Sequence, residues 1–270
     1  MPSNSEALPS YQRPPVNEVV CGVQFSALPG FRSVHFGRFA ELLKADYPRT
    51  EDRDSLPELY EGDLGPQVKD ELVALPMPPL RRVFYIDDTG NYLLQVQPSR
   101  FVANWRKQQD SDEYPRFSSA FGRFRKGWED FVAFARTEEI GLPQVNQYEL
   151  TYINHILEAS IPFPEGIEDY LRFFSWRDLG SLTLRTPRSA TFRLQFPLPN
   201  KHGALHVTVS HGKRMTDQKG VLVVDLTARG PGRPDWSDMV EWFSVAHKTI
   251  VNGFTDLTTP SAHQVWLREQ

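Results

Sequence analysis

Seven histidines, one cysteine and a few clustered carboxylates and arginines are what this 270-residue chain offers for chemistry. His202 and His206 are four positions apart, a metal-ligand spacing on a helix. They flank Gly203-Ala204-Leu205, a turn-and-strand context, where that separation is about 13 Å along the chain. His247 and His263 lie near Asp256, but Gly253 and Pro260 interrupt the segment. Cys21 has no second cysteine, which excludes an internal disulfide or a cysteine-based zinc site. Its setting, "EVVCGVQF", is an apolar run in which a thiol is a small buried hydrophobe. The sequence therefore implies neither a metal nor a cofactor.

Nucleophilic and phosphate chemistry are equally bare. There is no Gly-x-Ser-x-Gly elbow. "SHGKRMTD" (210–217) holds Gly, Lys and Thr without the phosphate-cradling spacing, and "RGPGRP" (229–234) reads as a loop between strand and helix. The pairs Asp87/Asp88 and Glu138/Glu139 sit at expected turn or helix-end positions, where solvation explains them. Arg116, Arg123, Arg125 and Lys126 interleave with phenylalanines, superficially a nucleic-acid surface. At helical spacing the rings and the charges separate onto opposite faces, which is an ordinary solvated helix. The net charge of −4 also lacks the basic bias of nucleic-acid binders.

The most suggestive pattern lies on strand-like runs of the second half, "SLTLRT", "ATFRLQF", "GALHVTVS" and "GVLVVDLTA". One face collects Leu182, Leu184, Phe192, Leu194, Phe196, Leu205, Val207, Val209, Leu222, Val224 and Leu226. The other collects Thr183, Arg185, Arg193, Gln195, His206, Thr208, Asp225 and Thr227. So clean an alternation puts helices on one side only. The polar side is either a solvent-washed sheet or a platform for a partner protein, a second copy or an anionic ligand. Arg185, Arg193, Gln195, His206 and Asp225 are its candidate binding residues, with Glu18, Gln24, Gln95 and Gln97 extending it if the halves join edge to edge. A second reading is an enzyme or ligand sensor whose site lies between the halves, with His155, Asn154, Arg185, His206 and Asp225 as first suspects. Nucleic-acid binding by the sheet face is a third.

The elements that would position these residues fall into a repeated order. Residues 1–13 are extended or frayed. "VNEVVCGVQF" alternates as a strand, and "FRSVHFGRFAELLKADYP" carries Phe31, Val34 or His35, Arg38 or Phe39, and Leu42 or Leu43 at helical spacing. "RTEDRDSLPELYEGDLGP" reads as a charged, proline-punctuated loop. A β-hairpin turns at Asp88-Thr89-Gly90-Asn91, and "SRFVANWRK" is a third strand or a helix start. Phe117, Phe121, Phe124, Trp128, Phe131 and Ala135 then define a long amphipathic helix. The second half repeats this: a strand at "NQYELTYINHI", a helix at "IPFPEGIEDYLRFFSW", the four strand runs, and a helix with Val240, Phe243, Ala246 or His247, Ile250 and Phe254 on one face. A short helix closes the chain. "PPVNEV" and "PQVNQY" open the two halves with the same Pro-x-Val-Asn phrase, their first prolines 129 positions apart (143 − 14). The expectation is an α+β protein of two similar β-α-β(3-4)-α units, 14–142 and 143–270, with an antiparallel sheet and long helices on one face. Asn17 and Asn146 should then sit at matching positions.

Three stretches, "PPVNEVVCGVQF", "NQYELTYINHI" and "AHKTIVNGFTDLTTPSAHQVW", resemble an uncharacterised family of bacterial proteins of about this length, sporadically distributed among genomes. The resemblance spans nearly the whole chain. It implies a horizontally mobile accessory gene of the kind found beside defence or toxin systems, and implies no activity, cofactor or catalytic residue. The element order also looks like the duplicated units of the TATA-box-binding fold and, loosely, like helix-grip folds. Hydrophobic residues at 40% and charged residues at 24% fit an ordinary globular protein. The start lacks a basic region followed by an apolar core, and no apolar run approaches the ~20 residues a bilayer needs. The reading is a cytoplasmic, non-enzymatic interaction module with a protein partner or a second copy of itself.

Overall fold

The computed structural model describes residues 7–61, 67–68, 80–175, 187–215, 217–233 and 235–270. Strict alternation makes β1 (Val16–Phe25) two-faced: Val19, Cys21, Val23 and Phe25 are 0–1% exposed on the helix side. Glu18 and Gln24 fall on the other side, as a period of two requires. The remaining strands are β2 (Arg49–Arg53), β3 (Leu59–Tyr60), β4 (Gln67–Val68), β5 (Arg82–Ile86), β6 (Tyr92–Gln97), β7 (Arg100–Arg106), β8 (Val145–Leu157), β9 (Thr191–Pro197), β10 (Ala204–Lys213) and β11 (Gly220–Pro231). Nine of them form one sheet in the order β2-β5-β6-β7-β1-β8-β11-β10-β9, and β3 pairs with β4 apart from it. Every pairing is antiparallel. β1 and β8, the strands that open the two halves, lie side by side at the centre.

The β1·β8 ladder is irregular at both ends. Val16 pairs with Asn154 and Glu18 with Ile153, so Asn17 is the extra residue of a bulge; Gln24 pairs with Gln147 and Phe25 with Val145, so Asn146 is the extra residue of another. The backbone carbonyl of Asn17 accepts from the N–H of Lys107 (2.7 Å), just past β7. That of Asn146 accepts from Gly232 (2.9 Å), just past β11. The asparagines of the repeated phrase thus occupy like places in like strands.

Helices α1 (Ser33–Leu43), α2 (Arg116–Thr137) and α3 (Trp236–Leu257) pack on the apolar face, and α4 (Pro260–Val265) follows α3. α2 buries Phe124, Trp128, Phe131 and Ala135 against the sheet. Gly127 lets it approach closely, because a Cβ there would meet Leu94 and Phe101 at 3.0 Å. α3 buries Met239, Trp242, Phe243, Ala246, Ile250 and Phe254, and Asp235 caps its first turn through the Ser237 N–H (2.6 Å). The two long helices touch through Phe124 and Phe243, centroids 5.1 Å apart. Side chains of this size dominate core energetics, so the aromatic stripe read from the sequence is what fastens α2 to the sheet.

Several expectations are narrowed to one of their alternatives, and others are corrected. Val240 is 38% exposed and Met239 takes the core position. In α1, His35, Phe39 and Leu43 face inward while Val34 and Leu42 are exposed. "SRFVANWRK" contains β7, not a helix start. The helix expected over 161–176 is, within the described residues, a single 3-10 turn at Glu165–Asp169. Prolines 162 and 164 remove backbone donors there, and the carbonyl of Ile161 lies 2.3 Å from where a Cβ on Gly166 would stand. The loop expected over 49–66 begins as the fully exposed edge strand β2. The run "SLTLRT", with Arg185, lies outside the described residues.

Candidate functional site

The polar face of the sheet is not open across its first half. Gln24, Gln95, Gln97, Arg100, Asn104 and Gln147 are all buried there, at 3–7% exposed. What buries the centre of this face is residues 55–61, "SLPELYE", which cross the sheet at right angles to the strands. Three glutamines hold the main chain of that segment. Gln97 accepts from the Leu56 N–H (3.0 Å) and donates to the Leu56 carbonyl (3.1 Å). Gln24 does the same at Leu59, at 3.2 and 3.1 Å. Gln147 accepts from the Glu61 N–H (3.0 Å) and donates to the Leu59 carbonyl (2.9 Å). Arg100 adds a bond to the Pro57 carbonyl (3.3 Å) while holding Gln24 Oε1 (2.8 Å).

The geometry explains the direction of the crossing. Gln97, Gln24 and Gln147 stand on β6, β1 and β8, so three inter-strand steps separate the outer two, about 14 Å. Five residue steps of extended chain, Leu56 to Glu61, cover about 17 Å. A nearly extended backbone therefore meets one carboxamide after another. A carboxamide presents one acceptor and two donors in a plane, as a peptide unit does, so each glutamine stands in for a neighbouring strand.

Beyond β8 the crossing ends on a side chain. Glu61 Oε1 accepts from Gln195 Nε2 (3.3 Å), and Glu61 Oε2 lies 2.8 Å from His206 Nε2. Two of the residues expected to bind are thus brought together, and the carboxylate they share comes from the first half of the chain. Asp225 is close but separate: it accepts from Thr227 Oγ1 (2.8 Å), and burial holds its carboxyl above the usual range, opposed by that bond. Arg193 is exposed on edge strand β9 with no bonded partner among the described residues, paired across the ladder with Thr208. Arg185 lies outside the described residues. On the same face a chain of bonds runs from Arg82 Nη1 to Gln95 Oε1, from Gln95 Nε2 to Asn104 Oδ1 (both 2.7 Å), and from Asn104 to Glu18. Burial pushes the Glu18 carboxyl up, opposed by its bond to Asn104.

Of the constellation suspected between the halves, Asn154 stands apart from His155, His206 and Asp225, and Arg185 lies outside the described residues. Asn154 and His155 are successive residues of β8 and point to opposite faces. Asn154 lies on the helix side, whereas His206 and Asp225 lie on the polar side. Three of the four cations of the α2 cluster are used internally: Arg123 sits 3.7 Å over the Tyr92 ring, Arg125 pairs with Glu129 (2.9 Å), and Lys126 pairs with Asp130 (2.8 Å), whereas Arg116 is exposed. Among the described residues no group of three or more His, Cys, Asp and Glu side chains could hold a metal ion, and no helix is long and apolar enough to cross a membrane.

Glu61, Gln147 and Arg100 were missed by sequence reasoning. The available signal was chemical: Gln24, Gln95, Gln97 and Gln147 all fall on outward strand positions, where a solvated face favours charges. No family model matches the chain, and no curated protein does. Among solved structures it is similar to the crystal structure of DynU16, a protein in the dynemicin biosynthetic locus, at 13% identity over 92% of this chain and 98% of that one, with a TM-score of 0.25.

Proposed function

We propose that the chain is a non-enzymatic interaction module whose polar sheet face grips an extended polypeptide segment by its main chain. The observation that carries this is the set of paired bonds from Gln97, Gln24 and Gln147 to the backbone of residues 56–61. Strand addition at sheet edges recognises peptides through main-chain bonds; here side-chain amides perform that pairing on the flat of the sheet. Residues 55–61 are the occupant in the free protein, and a partner segment of similar extended shape replaces them. Gln195 and His206 recognise an acidic residue at its end, as they do Glu61. Arg193, exposed on the same strand as Gln195, is the handle for a further acidic group. Buried Arg100 supports the reading: burial pushes its guanidinium pKa down, its bonded partners are the oxygens of Gln24 and Pro57, and no carboxylate pairs with it among the described residues.

We further read the scaffold as two β-α-β-sheet-α units side by side, in the manner of the TATA-box-binding fold. The bulged Asn17 and Asn146 and the central placement of β1 and β8 favour this. The resemblance to a sporadic bacterial family favours a cytoplasmic accessory component of a multi-protein system.

The test is made in trans. Residues 55–61 are replaced by a Gly/Ser stretch of equal length, and a fluorescein-labelled SLPELYE peptide is titrated against that variant. Saturable binding that is lost with Gln24→Leu plus Gln147→Leu is the expected result. A rise in anisotropy that those substitutions leave unchanged, or no binding at millimolar peptide, overturns the reading.

A further inference from the structure

The opposite face of the sheet carries a cavity of about 360 Å³ that the peptide-gripping face does not involve. It lies where the start of α2 and the second half of α3 diverge over β1 and β8, and the segment before β1 closes it through Tyr11. A volume of this size falls in the range of small-molecule sites. Most of its wall is apolar: Phe117, Ile250 and Phe254 line it, and the His247 ring lies flat against Phe117, centroids 4.1 Å apart with the planes 7° from parallel.

A few polar atoms converge in it, and they are not all satisfied. Tyr114 and Tyr152 share one hydrogen bond between their hydroxyls (2.9 Å). Two hydroxyl protons serve one bond, so one proton remains to be donated, and no described residue accepts it. Tyr152 is 4% exposed. Asn154, 2% exposed, donates from Nδ2 to the Val224 carbonyl (3.1 Å), while its Oδ1 accepts from no described residue. His247 likewise has no bonded partner among the described residues. Burial pushes both phenol hydroxyls up, so they keep their protons, and burial pushes the His247 imidazole down to about 4, so it is neutral at pH 7. These polar atoms are not sealed away, since Arg82 Nε is the one fully buried side-chain polar atom without a partner among the described residues; they belong to residues that line the cavity and are open to a ligand there.

We propose that this cavity binds a small, uncharged, aromatic molecule carrying one hydroxyl, the hydroxyl oxygen accepting from the Tyr114–Tyr152 pair and its proton going to Asn154 Oδ1. A hydroxyl is the single group that answers a free donor and a free acceptor at once. The flat Phe117–His247 pair gives an aromatic ring a surface to stack on. A charged ligand has no counter-ion inside: the charged side chain at the lining is Arg116, which is exposed at the rim.

The experiment uses the full chain and 2-naphthol as probe, with naphthalene and 2-naphthoate as controls, read by calorimetry and by thermal melting. The expected result is saturable 2-naphthol binding that raises the melting temperature and is about tenfold tighter than naphthalene, the worth of one good hydrogen bond. 2-Naphthoate should bind more weakly than either. The double substitution Tyr114→Phe plus Tyr152→Phe, and separately Asn154→Leu, should each weaken 2-naphthol about tenfold and leave naphthalene unchanged. Should the tyrosine double variant fail to fold, Asn154→Leu alone tests the hydroxyl's second bond. Absence of 2-naphthol binding overturns the proposal. So do equal affinity for naphthalene, tighter binding of 2-naphthoate, and indifference of 2-naphthol to the tyrosine and asparagine substitutions. The peptide titration on the other face is independent of every one of these outcomes.

Discussion

Cys21 and Leu150 face each other in the β1·β8 ladder, 129 positions apart (150 − 21), the same separation as Pro14 and Pro143. Adding 129 to Glu18 (147) and subtracting 129 from Ile153 (24) turns that pair into Gln147↔Gln24, which is another pair of the same ladder. The regular part of the ladder therefore maps onto itself, as it would about a two-fold axis through Cys21 and Leu150. The axis point is buried: Cys21 is 1% exposed, and burial pushes its thiol up, away from the reactive thiolate. In native protein Cys21 should resist iodoacetamide. Labelling should rise in step with global unfolding in urea, because the central ladder opens last. Fast labelling without denaturant would contradict the central placement of β1.

Phe131→Ala should destabilise the fold by about 3–5 kcal/mol, the cost of removing a wholly buried ring. Val240→Ala, at a position 38% exposed, should change stability by no more than about 0.5 kcal/mol. Chemical denaturation of the two variants checks the phase of both long helices at once.

Gln24→Leu leaves the N–H and carbonyl of Leu59 without one of their partners and takes from Arg100 its bond to Gln24, leaving it the Pro57 carbonyl. The loss should be about 1–3 kcal/mol, and protease cleavage within residues 55–61 should quicken. Arg193→Ala, by contrast, should fall within about 0.5 kcal/mol of the parent, because the side chain is exposed and unpaired. Its effect should appear in peptide binding alone.

Acid should weaken the fold through His247. Its folded pKa of about 4 lies below the ordinary histidine value of 6.5, so between those values the unfolded chain binds a proton that the folded chain refuses. Stability is therefore intact above pH 6.5 and falls as pH drops toward about 4, by up to about 3 kcal/mol. Asp225 and Glu18 have raised folded pKa values and act in the opposite sense. The difference between the parent and His247→Phe isolates the histidine. Urea melts of both at pH 7 and pH 4.5 should converge at the lower value.

Local rules carried the reading as far as faces and no further. Period-two alternation placed Val19, Cys21 and Val23 inward and Gln195 and His206 outward, and the 3.6 period placed Phe131 and Ile250 in the core. At Val240 the helical phase was misplaced by one residue, and Met239 takes the core position. What lay on top of the polar face was not legible. The partners of Glu61 lie far along the chain: Gln147 and His206 are 86 (147 − 61) and 145 (206 − 61) positions away. Nothing in a charged, proline-bearing stretch announces partners at that distance. For the same reason Asn154 and His155 looked like one site and belong to two, since strand geometry separates side chains that sequence places together.

The placing of β1 beside β8 also sets a timetable. Gln24 must wait for Gln147, made 123 residues later (147 − 24). At synthesis rates of about 5–20 residues per second that wait is roughly 6–25 s. Throughout it one side of β1 offers a row of unpaired N–H and carbonyl groups, a template for any other nascent strand. Residues 55–61 emerge early in that interval, before β5, β6 and β7 have completed the first half of the sheet. Once Gln24 has hold of Leu59, the two residues beyond it overhang the waiting edge of β1. When β8 arrives, Gln147 meets a main chain already held above its berth, and the register that seats it there is the same one that sets Leu150 opposite Cys21.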